Sequence, residues 1–167
     1  MPHPISPLGA LHTAISVAPV VAGVYCYARQ GGIRASTRAG QVYLAGLFLS
    51  VVTSFGLSST GKFNAGHALG LLGLAAALGG VVVARLGFLG RLRPYLSAAG
   101  LSFSFFLLLV PGINETLSRL PPSHPIGSGI ESPVVRGALL GWVVLFAVGL
   151  CVQMWTVHAG RRALRSA

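Results

Sequence analysis

Polar and apolar residues along this chain separate into long uncharged runs broken by short basic or proline-rich stretches. Five apolar runs stand out, at about 8–28, 40–58, 65–84, 95–110 and 134–156. The third is the clearest, with twenty residues from Ala65 to Ala84 passing without a charge before Arg85. At a rise of about 1.5 Å per residue, a helix of that length matches the roughly 30 Å hydrocarbon layer of a bilayer. The pattern predicts an all-α fold: a polytopic membrane helix bundle of five transmembrane helices forming a single transmembrane domain over 1–167. Gly66, Gly70, Gly73, Ala77, Gly80 and Ala84 recur three or four residues apart. One side of the third helix is therefore nearly bare backbone, which lets neighbouring helices approach closely in lipid.

The fourth run is the shortest, and Pro111-Gly112 is expected to stop it. That leaves one long connection, 111–133. Within it Ile113, Leu117 and Leu120 are spaced by four and three, with polar residues between them. This spacing predicts a short amphipathic helix lying on the outer surface of the membrane.

Composition supports the membrane assignment. The hydrophobic fraction is 53% and the charged fraction only 8%, against about a quarter charged in soluble domains. The net charge of +10 does not point to nucleic acid, because the basic residues cluster at the ends of apolar runs, as membrane-flanking anchors do. The expected partners are the lipid bilayer and other membrane subunits. Cys26 and Cys151 lie inside apolar runs and behave as small hydrophobes. Met1-Pro-His-Pro-Ile-Ser-Pro7 has no basic leader region, so the first run is expected to act as its own insertion signal.

Charge also orients the bundle. Arg29, Arg34, Arg38, Arg85, Arg91, Arg93, Arg161, Arg162 and Arg165 fall on one side of the five runs, and only Lys62, Arg119 and Arg136 on the other. This asymmetry predicts a plasma-membrane protein with its N-terminus outside and its C-terminus cytoplasmic. Tyr25, Tyr27, Tyr43, Tyr95 and Trp155 are then expected near the cytoplasmic interface, where amphipathic rings are favoured.

The first four runs read as two repeated hairpins. His12 opens the first, closed by Ala28-Arg29, and a Gly-rich basic loop leads to Tyr43-Leu-Ala. His67 opens the third, closed by Ala84-Arg85, and a second such loop leads to Tyr95-Leu-Ser. The offsets are 55 residues at the histidines, 56 at the Ala-Arg pairs and 52 at the tyrosines. Both hairpins start on the same side, as parallel repeats do, which places His12 and His67 at one depth near the outer face.

Those two histidines carry the candidate chemistry, since ionisable groups in membrane helices usually face the bundle interior. They suit the axial positions of one b-type haem. They also suit a zinc or copper site completed by Glu115 or His124, or a proton relay or a hydrogen bond to a quinone head group. Equally, both lie close to helix ends, where a neutral imidazole can simply cap or hydrogen-bond. His158 reads as an anchor at a helix C-terminus, and His3 and His124 have no partner spacing. Only two acids are present, Glu115 and Glu131, both in the long outer connection. With no carboxylate in a span, proton-coupled transport of the usual kind is not expected. No nucleophile elbow, phosphate-binding glycine motif, metalloprotease pair or CxxC is present either. Hydroxyls at Ser50, Thr53 and Ser54 are expected to bond between helices.

At His12, Gly32-Ile-Arg34, Gly40-Gln-Val-Tyr43, His67 and Val110-Pro-Gly112, the chain resembles a bacterial family of small multi-pass membrane proteins that carries only an unknown-function label. The resemblance spans roughly residues 10–117. That family has histidines matching His12 and His67. It has a second pair where this chain has Ser36 and the Arg93-Pro94-Tyr95 neighbourhood. Four histidines so arranged are similar to the layout of transmembrane di-haem cytochromes b. The resemblance implies at most an outer haem here, and no electron path across the whole membrane. The leading expectation is an integral membrane protein without an identifiable catalytic centre, serving as a binding or accessory subunit. The alternatives are an electron-transfer protein holding haem b through His12 and His67, and a metal- or quinone-binding membrane protein.

Overall fold

In a computed structural model, residues 6–57 and 63–166 are described, the side chains of 163–166 excepted. Five helices account for the five apolar runs among the described residues: α1 (Pro7–Gln30), α2 (Arg38–Ser54), α3 (Ala65–Val83), α4 (Arg93–Arg119) and α5 (Pro133–Ser166). All five are long and apolar enough to cross a membrane. The chain is accordingly a multi-pass membrane protein built as a five-helix bundle.

Local signals set the helix ends. Ser6 caps α1 by accepting from the Gly9 N–H at 3.1 Å, and Pro7 occupies the first turn, where an absent N–H goes unmissed. The helix closes on Gly31 at φ 69, whose N–H reaches the Tyr27 carbonyl while Gly32 N–H reaches Cys26. Thr37 caps α2 at the Gly40 N–H. A 3₁₀ turn, Phe55–Leu57, prolongs α2.

Packing divides the bundle into hairpins α1–α2 and α3–α4, joined through α2–α3 and α1–α4 contacts, with α5 against α4. Small residues allow each close approach. A Cβ on Gly46 of α2 would stand 2.7 Å from Cδ of Pro19 in α1. A Cβ on Gly100 of α4 would stand 2.9 Å from the Ala76 carbonyl oxygen of α3. The small-residue stripe of α3 serves two neighbours, Gly73, Ala77 and Gly80 turning toward α4 and Gly70 toward Val51 of α2.

Three expectations require correction. The fourth helix does not stop at residue 110; α4 runs on through Pro111 to Arg119. Pro111 removes one N–H and leaves the Leu107 carbonyl without it, and the remaining backbone bonds carry the helix across it. Ile113, Leu117 and Leu120 therefore do not form a separate surface helix. The first two belong to α4, Leu120 is its C-cap, and the connection shrinks from 111–133 to 120–132. α5 likewise extends past 156, to Ser166. Finally, Tyr43 is not an interfacial ring. It is fully buried, and its hydroxyl donates to Ser104 Oγ at 2.7 Å because the Ser104 hydrogen is committed to the Leu101 carbonyl. Tyr25 and Trp155 do stand exposed, Trp155 at 76%.

Candidate functional site

One end of the bundle carries both acids together with His12 and His67; the other carries most of the arginines. At the acid-bearing end α2 finishes in Ser50-Val-Val-Thr-Ser54, and the two histidines engage its last turn separately.

His12 belongs to α1 and faces α2. Its Nδ1 lies 2.8 Å from Thr53 Oγ1 and its Nε2 lies 3.4 Å from Ser16 Oγ. Thr53 Oγ1 spends its one hydrogen on the Leu49 and Ser50 carbonyls, so it accepts from the imidazole Nδ1–H. Nε2 then faces Ser16, which also shares a 2.6 Å hydrogen bond with Ser50 Oγ. The result is a polar chain, Ser50–Ser16–His12–Thr53, across the α1–α2 seam. Such groups are tolerated in a span because each satisfies the next. Of the three α2 hydroxyls, Ser50 and Thr53 bond between helices as expected, whereas Ser54 Oγ bonds within α2 to the Val51 carbonyl at 2.7 Å.

His67 has a different environment. It is the third residue of α3, and Asn64 is the cap. Asn64 Oδ1 accepts from the His67 N–H at 3.1 Å, while His67 Nδ1 accepts from the Asn64 N–H at 3.3 Å. This is a reciprocal capping box with histidine where Glu or Gln is usual. The opposite nitrogen, Nε2, donates to the Ser54 carbonyl oxygen at 3.0 Å and ties the start of α3 to the end of α2. The ring is only 4% exposed. It stacks on Phe55 with centroids 4.6 Å apart, and Phe63 leans against it at 5.7 Å.

Both histidines thus reach the same turn of α2, but they share no partner. An axial iron ligand must offer a nitrogen lone pair. His67 as held here does not fit that role, because one nitrogen is protonated toward Ser54 and the other already accepts from Asn64. His12 Nε2, at 3.4 Å from its hydroxyl neighbour, is the only loosely held ring nitrogen of the pair. Glu115 pairs with Arg119 at 2.5 Å, and His124 lies in the exposed 120–132 connection. Among the described residues no group of three or more His, Cys, Asp or Glu could hold a metal ion. His3 lies outside the described residues.

A second polar assembly was not anticipated from the sequence. Tyr27 of α1 donates to Ser102 Oγ of α4 at 2.8 Å, and Ser102 donates to Gln153 Oε1 of α5 at 2.5 Å. Phe105 packs against Tyr27, Tyr43 and Trp142 beside it. Gln153 is the one amide side chain in the apolar part of α5 and is 7% exposed. A lone amide in a span was the available signal, since it must find a partner within the bundle. Its role here is to fasten α5 to α1 and α4.

No family model, curated protein or solved structure matches this chain. The geometry alone carries the reading that follows.

Proposed function

We propose that this chain is an accessory subunit of the bacterial inner membrane, N-terminus outside and C-terminus cytoplasmic, that docks a second membrane protein along α5. The observation carrying this reading is the contrast between α3 and α5. Gly73 and Gly80 of α3 sit against α4, whereas a Cβ added at Gly137, Gly141 or Gly149 of α5 would meet nothing within 4 Å. Only 6% of the α5 span is buried, against 11% for α1 and 22% to 33% for α2, α3 and α4. Gly137-Ala-Leu-Leu-Gly141 has the spacing that lets two membrane helices approach backbone to backbone. The orientation is supported by the arginine-rich end, which the positive-inside rule places in the cytoplasm. Duplication of one hairpin is the proposed origin of α1–α4, supported by the repeated offsets of 55, 56 and 52 residues in the sequence.

The test is Gly141→Leu, whose side chain enters open space and leaves the bundle intact. In native membranes the wild-type chain is expected in an assembly larger than itself. The variant is expected to fall to the size of the lone chain with an unchanged unfolding temperature. A wild-type chain that migrates alone, or an assembly indifferent to Gly141→Leu, overturns the proposal. Two differently tagged copies that co-purify would mark the assembly as self-association and overturn the accessory role.

A further inference from the structure

The basic end of the α4–α5 seam holds a concavity of about 230 Å³ lined by Arg91, Tyr95, His158, Arg161 and Arg162. Its parts are held in place. Arg161 Nη1 donates to the Arg91 carbonyl oxygen at 2.6 Å, which pins the end of α5 to the turn before α4. The Arg161 guanidinium lies 5.8 Å from the centroid of the Tyr95 ring. Tyr95 Oη and His158 Nδ1 are 3.0 Å apart. α4 begins here without a side-chain cap, and Pro94 stands in its first turn. Its opening N–H groups add positive potential to the arginines.

Neither of the two acidic side chains of the chain lies at this end. The chain has two acidic side chains, and both pair with arginines at the opposite end, Glu115 with Arg119 and Glu131 with Arg136. Arg91 and Arg161 line one concavity with no acidic side chain at their end of the bundle, and an external anion suits them. The planar guanidinium fork matches a phosphate in particular. The surroundings specify where that phosphate comes from. Trp155, Val152 and Val148 on α5 and Leu92 and Phe88 before α4 are all more than half exposed. The concavity therefore opens at the rim of the span, where apolar surface continues below it and an interfacial aromatic stands beside it.

We propose that this concavity binds the phosphate of an anionic phospholipid, with Arg91 and Arg161 contacting the headgroup and the acyl chains running down the exposed face of α5. A basic pocket between membrane helices on the cytoplasmic side is a suitable receptor for such headgroups. The inference does not depend on a protein partner at Gly137 and Gly141, which lie at the other end of α5.

The experiment titrates the whole purified chain, in neutral detergent, with phosphatidylglycerol, phosphatidylcholine or inorganic phosphate, and reads bound lipid by native mass spectrometry. Phosphatidylglycerol is expected to bind selectively. Arg91→Gln with Arg161→Gln should weaken it roughly 30-fold, the sum of two basic residues near an anionic surface. Arg34→Gln with Arg38→Gln removes the same charge from the same end without touching the concavity, and should leave binding nearly unchanged. Unfolding temperature without lipid reports whether each variant folds. Should the double variant fail to fold, Arg91→Gln alone keeps the carbonyl that Arg161 needs and should weaken binding about fivefold. Equal losses in both double variants would mean a diffuse field and overturn the site. Equal binding of phosphatidylcholine would overturn the anionic requirement. Displacement of the lipid by millimolar inorganic phosphate would make this a free-anion site and overturn the lipid assignment.

Discussion

His67 offers the sharpest perturbation, because its two ring nitrogens and its ring face do separate things. His67→Ala removes the bond from the Asn64 N–H and the bond to the Ser54 carbonyl, each worth about 1 kcal/mol. It also removes the stack on Phe55, worth about 0.5–1.5 kcal/mol. The expected loss is about 3 kcal/mol, or about 6–12 °C in unfolding temperature for a chain of this size. His67→Gln restores the usual capping-box partner and can reach Ser54 with its amide, so it loses mainly the stack, about 1 kcal/mol. The assay follows thiol exposure on heating in mild detergent. Cys26 is fully buried and reports unfolding, and the exposed Cys151 is replaced by Ser beforehand. The reasoning is refuted if Gln is as damaging as Ala, or if Ala lies within about 1 °C of wild type.

Adjacent glycines in α3 should behave oppositely. Gly80→Ala places a Cβ 3.0 Å from the Ser97 carbonyl oxygen and should cost about 1–3 kcal/mol. Gly79→Ala meets nothing within 4 Å and should gain about 0.5–1 kcal/mol from helix propensity, both read in the same thermal assay. Protein purified from haem-replete cells should show no Soret band; one that disappears in His67→Ala would refute the capping role. Single cysteines at the exposed positions Ser36 and Ser123, in a background without Cys26 and Cys151, should react with an impermeant maleimide from opposite faces of the membrane, and labelling from one face would refute the five-span topology.

The five spans were legible because hydropathy reports directly on the solvent each residue can tolerate. The extent of α4 was not, because a proline removes a single backbone bond and leaves open whether the turns on either side stay helical. At Pro111 they do, and the helix continues. Tyr43 illustrates the same limit. A tyrosine near a basic loop reads as interfacial, and only the position of Ser104 on another helix makes it a core residue. For the histidines, proximity to helix ends was visible and correctly allowed a capping role. Asn64-x-x-His67 could have been recognised as a capping box, had histidine been admitted beside Glu and Gln as the reciprocal partner. The matching 55-residue offset to His12 suggested equivalence instead. In the fold, His12 faces the α1–α2 seam five residues into its helix, and His67 closes the first turn of its own.

The unbroken course of α4 changes what this protein presents to the space beyond the membrane. Twenty-seven residues make a rod of about 40 Å, some 10 Å longer than the roughly 30 Å apolar layer. Its final turns, with the Glu115–Arg119 pair, form a rigid post at that end of the bundle, and tilt of the helix can take up the extra length. The 120–132 segment folds back on that post, Gly127 N–H bonding the Leu117 carbonyl at 2.9 Å. The segment is thus fastened to the end of α4 as a small fixed knob, where a free loop of that length would hang loose.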